Sequence, residues 1–219
     1  MLARLGSEKA HRIRSRAADP ADAGVEANSR LTGATAALLL VLFFIEGLTL
    51  LGVRQHLSVH VFIGMLLIPP VLVKIGSTTW RFARYYSGSP AYRRKGPPPA
   101  LLRLLGPVLV VVTVLMLASG VALLLVPRSD LGFLLFVHKA TFVLWFGAMA
   151  IHVLGHLLET TRLARLDLAH RTRAQISGAS ARQWTLALSL VAGLVLAALM
   201  MGSTAQFWGH AGALFGHHH

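Results

Sequence analysis

The chain has 219 residues, 55% hydrophobic and 13% charged; 21 Lys and Arg against 8 Asp and Glu give a formal net charge of +13, and cysteine is absent. So little charge, with a mean hydropathy of +0.63, excludes an ordinary water-soluble domain. The lack of cysteine excludes disulfides and thiolate-ligated metal centres within this chain.

Residues 1–30 are charged and carry no short apolar core followed by a small-residue cleavage site, so they read as a disordered basic cytoplasmic tail and not as a cleavable leader. Five apolar runs follow, at about 31–53, 57–80, 104–126, 131–158 and 184–208. Each is near or above the ~20 residues that a helix needs to cross the hydrocarbon core. The first, third and fifth hold a single formal charge, Glu46, and lack the polar stripe of a water-facing helix. The expected architecture is an all-α integral membrane protein with five transmembrane helices. Pro69 and Pro70 fall midway along the second run, where they are expected to kink the helix and free backbone carbonyls. The segment WRFARYYSGSPAYRRKGPPP (80–99) reads as interfacial: Trp80, Tyr85, Tyr86 and Tyr92 suit the headgroup level, and the Pro run stops a helix. The segment 159–183 is basic. The tail 209–219 reads as a flexible outside segment, its terminal histidines a tag remnant or inert.

Six Lys and Arg lie in 1–30, six in 81–103 and five in 159–183, whereas Arg54 and Arg128 stand alone in the alternate turns. This alternation follows the positive-inside rule and sets the N-terminus in the cytoplasm and the C-terminus outside. It directs the positive charge towards anionic lipid headgroups and away from nucleic acid as a partner.

Ionisable side chains inside a membrane are costly, which makes them functional candidates. His138 and His152 lie fourteen residues apart in the fourth run, on one helix face and about 21 Å apart along the axis. That spacing suits haem groups held near opposite sides of a bilayer. The stripe His138, Phe142, Trp145, Met149, His152, His156 and Glu159 repeats at helical spacing. Its aromatics and Met suit a porphyrin face, but ordinary packing is the preferred reading for them. On the second run His60, Gly64, Leu67, Val71 and Lys74 form the facing stripe. His60 lies about 5 Å, and His138 about 10 Å, below the outer ends of their helices. Two imidazoles at similar depth on antiparallel helices can ligate one haem from both sides, with Gly64 leaving room for the porphyrin edge. A lone membrane histidine more often makes an interhelical hydrogen bond; the matched pair favours a cofactor.

Near the cytoplasmic side, His152 and His156 are candidates for an inner haem, but the residue fourteen after His60 is Lys74. Three readings stand for Lys74: a partner for a haem propionate, a replacement ligand, or a side chain that snorkels to the cytoplasmic interface. Glu46, about 10 Å from the outer end of the first helix, is a candidate quinone and proton site. Alternatively it pairs with Lys139 or Arg54, or is protonated and bonded to a neighbour. Arg54, Arg128 and Lys139 are candidate partners for outer-haem propionates. His56, at the helix mouth, reads as a solvated or hydrogen-bonding residue.

The segments SVHVFIGMLL (58–67), KIGSTTWRFARYY (74–86) and HKATFVLWFGAMAIHVLGHLLE (138–159) give the stretch from about Leu31 to Leu158 a family likeness. It resembles the membrane b-type cytochromes of the ferric-reductase-like and cytochrome b group, and looks most like the small bacterial haem subunits of molybdopterin oxidoreductases. The resemblance implies a haem-binding domain over 31–208, with a four-helix core and one extra helix, in a bacterial cytoplasmic membrane. It implies one or two haem b groups and electron transfer between a quinone pool and a soluble or membrane oxidoreductase partner. Carried over, His60 and His138 match the outer ligand pair and His152 the inner ligand. Lys74 departs from the two-haem pattern, so one haem b is expected and a second stays open. Two other readings stand beside this one. The chain is a metal-ion binding or transport protein using His56, His60 and His138 near Glu46, or a membrane anchor subunit that docks an oxidoreductase through its basic loops. No nucleophile with a base and no nucleotide-binding glycine loop is present, so substrate chemistry is expected to belong to a partner.

Overall fold

Apolar runs without a polar stripe satisfy their backbone in lipid only as helices or closed barrels, and in the computed structural model every described element is helical. The structure describes residues 20–96, 100–126, 130–167 and 179–214, with side chains over 22–96, 100–126, 130–156 and 180–202. Helix α1 spans Pro20–Thr49 and runs into a 3₁₀ turn at Leu50–Gly52; α2 is Leu57–Tyr86, α3 Pro90–Lys95, α4 Ala100–Leu125, α5 Leu131–Asp167 and α6 Ala179–Leu214. All but α3 are long and apolar enough to cross a membrane. Many of their largest side chains face outward, among them Phe44, Leu104 and Phe133, each about 70% exposed. Water would not tolerate so continuous an apolar surface; lipid does.

The helices overrun the apolar runs, and the reasons are local. Residues 20–30 are helical and not a disordered tail. Asp22 is paired with Arg94 at 2.6 Å and Glu26 with Arg30 at 3.0 Å, while Lys95 lies 3.8 Å from Glu26. Val25 is buried against Ala91 and Tyr92. Helix α3 thus folds back onto the first turns of α1, and Tyr92 packs there and does not sit at an open headgroup surface. The return is made possible by Gly88, whose φ of +88° lets its N–H close on Tyr85 O where an L side chain would be strained. At the other end of the chain, residues 209–214 continue α6 and are not a flexible tail. The terminal histidines and Arg128 lie outside the described residues.

Packing sorts the spans into two groups. Helices α1, α2 and α6 form one, with α2 lying most extensively along α6; α4 and α5 form the other. The fifth span is therefore the main support of α2 and no accessory to a four-helix core. A detail of α2 explains how closely α6 approaches. Helix α2 continues through Pro69 and Pro70, and Pro70 has no N–H to give to Leu66 O. That carbonyl faces Gly193 of α6, where an added Cβ would lie 2.6 Å from it. Small residues at helix crossings permit such backbone approach, and a Cα–H donor partly answers the freed carbonyl.

Gly193→Val is expected to destabilise the protein by at least about 1–3 kcal/mol, the usual range for overpacking, because backbone must move. Gly147→Val, at a position with nothing nearby, is the matched control. Thermal unfolding in detergent distinguishes them: equal melting temperatures would refute the close crossing.

Candidate functional site

The two packing groups meet imperfectly. Between α1 and α2 on one side and α4 and α5 on the other lies a cavity of about 700 Å³, almost entirely apolar, whose lining includes Glu46, His60 and His138. That volume is within the ~300–1,000 Å³ of ordinary cofactor pockets.

His60 enters from α2, one turn after the tight α1–α2 connection. Its Nδ1 lies 2.9 Å from Glu46 Oε1 and 3.0 Å from Thr49 Oγ1. The Thr49 hydroxyl spends its own proton on Glu46 O at 2.6 Å, so towards His60 it accepts. The Thr49 contact therefore assigns the proton to Nδ1, which faces Glu46 Oε1 as well. Glu46 and Thr49 share a face of α1 because they are three residues apart. Gly64, on the facing helix, lies beside the carboxyl: a Cβ there would be 3.5 Å from Glu46 Oε1, an ordinary contact distance. The His60 and Glu46 side chains are only 19% and 14% exposed.

His138 enters from α5 and is held by one turn of α4. Its Nδ1–H donates to Met116 O at 3.0 Å, with Ser119 Oγ at 3.2 Å; the serine itself donates to Met116 O at 2.9 Å. Gly120 completes the turn, since an added Cβ would lie 3.2 Å from His138 Cε1. A backbone carbonyl only accepts, so this ring too carries its proton on Nδ1. In a neutral imidazole the other nitrogen then holds the lone pair. The two rings, each held at Nδ1, stand with centroids 6.3 Å apart and planes at 82°.

Beside the pair, Trp145 donates from Nε1 to Thr113 Oγ1 at 3.0 Å and packs on Phe43 with centroids 4.7 Å apart. Phe142, Trp145 and Met149 pack against Leu109 and Met116 and also line the cavity. Arg54 and Lys139 border the same cavity.

Glu46 pairs with His60; its second oxygen, Oε2, is buried without a hydrogen-bond partner. Lys74 turns to α1 and donates to Thr32 O at 3.0 Å. It joins a polar clamp in which Thr32 Oγ1 donates to Ser77 Oγ and Asn28 Nδ2 to Ser77 O. This role, tying α1 to α2, was not among the three foreseen. His152 and His156 stack edge-on with centroids 4.6 Å apart, and His152 Nδ1 is buried without a hydrogen-bond partner. Neither borders the cavity. His56 is exposed at the start of α2. Among the described residues no group of three or more His, Cys, Asp or Glu is gathered as a metal site. Thr49, Met116, Ser119 and Gly120 escaped sequence reasoning. Their signal was the small, polar Ser119–Gly120 pair interrupting an otherwise aliphatic run.

No family model matches the chain, and no curated protein and no solved structure matches it.

Trp145→Phe removes the buried bond to Thr113 and is expected to cost about 1–2 kcal/mol of stability. Thermal unfolding in detergent checks it, and an unchanged melting temperature would show that the bond carries no load.

Proposed function

We propose that the chain is a membrane-embedded haem b electron-transfer protein of a bacterial cytoplasmic membrane, passing electrons between a quinone pool and an oxidoreductase partner. The observation that carries the reading is the His60–His138 pair: two buried-side imidazoles on opposite walls, each fixed at Nδ1, 6.3 Å apart across one apolar cavity. A bare ion needs three or four protein ligands. A haem brings four nitrogens of its own and asks the protein for two axial ones, which is what the described residues offer. When bound, haem supplies a one-electron couple that the surrounding protein tunes.

This chain's residues would do the rest. His60 and His138 hold the group and set its tilt. Phe142, Trp145 and Met149 keep water from its faces. Arg54 and Lys139, at the border of the cavity, would balance the propionates. We propose one haem and not two: Lys74 is committed to Thr32 O, and His152 and His156 face one another. In the orientation set by the positive-inside rule, with the N-terminus cytoplasmic and the C-terminus outside, the haem lies in the outer half of the membrane. A quinone in the lipid is then the natural exchange partner for electrons.

A dithionite-reduced minus oxidised spectrum of the detergent-purified protein, with pyridine haemochrome quantitation, is the test. About one haem b per chain is expected. His60→Ala and His138→Ala should each lose most of it while His152→Ala keeps it. A protein colourless after expression with ample haem, or one whose haem survives both substitutions, would overturn the reading.

A further inference from the structure

The two histidines are held by different chemistry. His138 leans on a neutral backbone carbonyl and a serine hydroxyl. His60 leans on a carboxyl group, Glu46, the sole acidic residue in the first run. Carboxylates are expensive in an apolar interior, and the second oxygen of this one is buried without a hydrogen-bond partner. A helix–helix tether would be served as well by Gln or Ser, without that cost.

We propose that Glu46 is a positioning residue for electron transfer: it orients His60 and, through Nδ1–H, gives that imidazole imidazolate character, so that it is the stronger of the two axial donors. This rests on the haem reading above. Metal-bound histidines commonly pass their second N–H to a carboxylate, which fixes the tautomer and raises ligand basicity. A more basic axial ligand, with negative charge behind it, favours the ferric over the ferrous state and so lowers the midpoint potential. His138, on its neutral acceptor, has no such effect. The site is thereby asymmetric, its low-potential character written on the α1–α2 side alone.

The experiment compares wild-type protein, Glu46→Gln, Thr49→Val and Ser119→Ala by haem content, redox titration at one fixed pH and low-temperature EPR. Glu46→Gln keeps an acceptor near Nδ1 and removes the charge. It should retain haem and raise the potential by roughly a tenfold change in the ferric-to-ferrous affinity ratio, about 59 mV for a one-electron couple, with altered g-values. Thr49→Val leaves the carboxylate as sole acceptor and should shift the potential downward or not at all. Ser119→Ala, on the His138 side, should move it little. A haem-loaded Glu46→Gln protein with wild-type potential and g-values overturns this inference and leaves the haem reading standing. If Glu46→Gln fails to fold, an upward shift in Thr49→Val overturns it. A wild-type protein without haem overturns both.

Discussion

Everything about the site depends on where each imidazole is tied. A histidine ring in an apolar interior is free to rotate and to exchange tautomers unless one nitrogen is claimed, and here Nδ1 is claimed on both walls, by Glu46 with Thr49 and by Met116 O with Ser119. The acceptors come from the neighbouring helix in each case, α1 for the ring on α2 and α4 for the ring on α5. The packing of α1 on α2 and of α4 on α5 is therefore what aims the rings. A slip of either helix by one residue would turn Glu46 or the Met116 carbonyl away.

The same helices supply the space. Gly120 withholds a side chain where the His138 ring needs room. The third crossing, α2 on α6, works by the same principle. Gly193 meets the carbonyl that Pro70 leaves unpaired, so the residue that weakens α2 internally is answered by the helix that braces it. Away from the cavity the Asn28, Thr32, Lys74 and Ser77 clamp locks α1 to α2. The α1–α2 pair is thus fixed at the clamp and at the tight turn beyond the His60 level, and the ring sits on a rigid hairpin.

Much of this was legible before the structure. Apolar run length gave five spans, and a rise of about 1.5 Å per residue was enough to bring His60 and His138 to one depth. What depth does not give is rotational phase across a turn. Glu46 precedes His60 by fourteen residues through a 3₁₀ break, and no periodicity predicts that the two side chains face each other; nearby cations looked like better partners. Lys74 was read against a haem pattern, while its actual acceptor is a backbone carbonyl, which sequence never displays as a feature. The early start of α1 escaped because hydropathy ignores polar residues. Asp22 and Glu26 find Arg94 and Lys95 some seventy positions along the chain, a pairing that only tertiary structure creates.

The division of the spans into α1, α2 and α6 against α4 and α5 has a consequence for assembly. Each group contributes one of the two rings, and the groups touch each other far less than their members touch within. A molecule gripped by both rings would act as a rivet between two half-bundles, and its binding free energy would appear as cohesion of the whole.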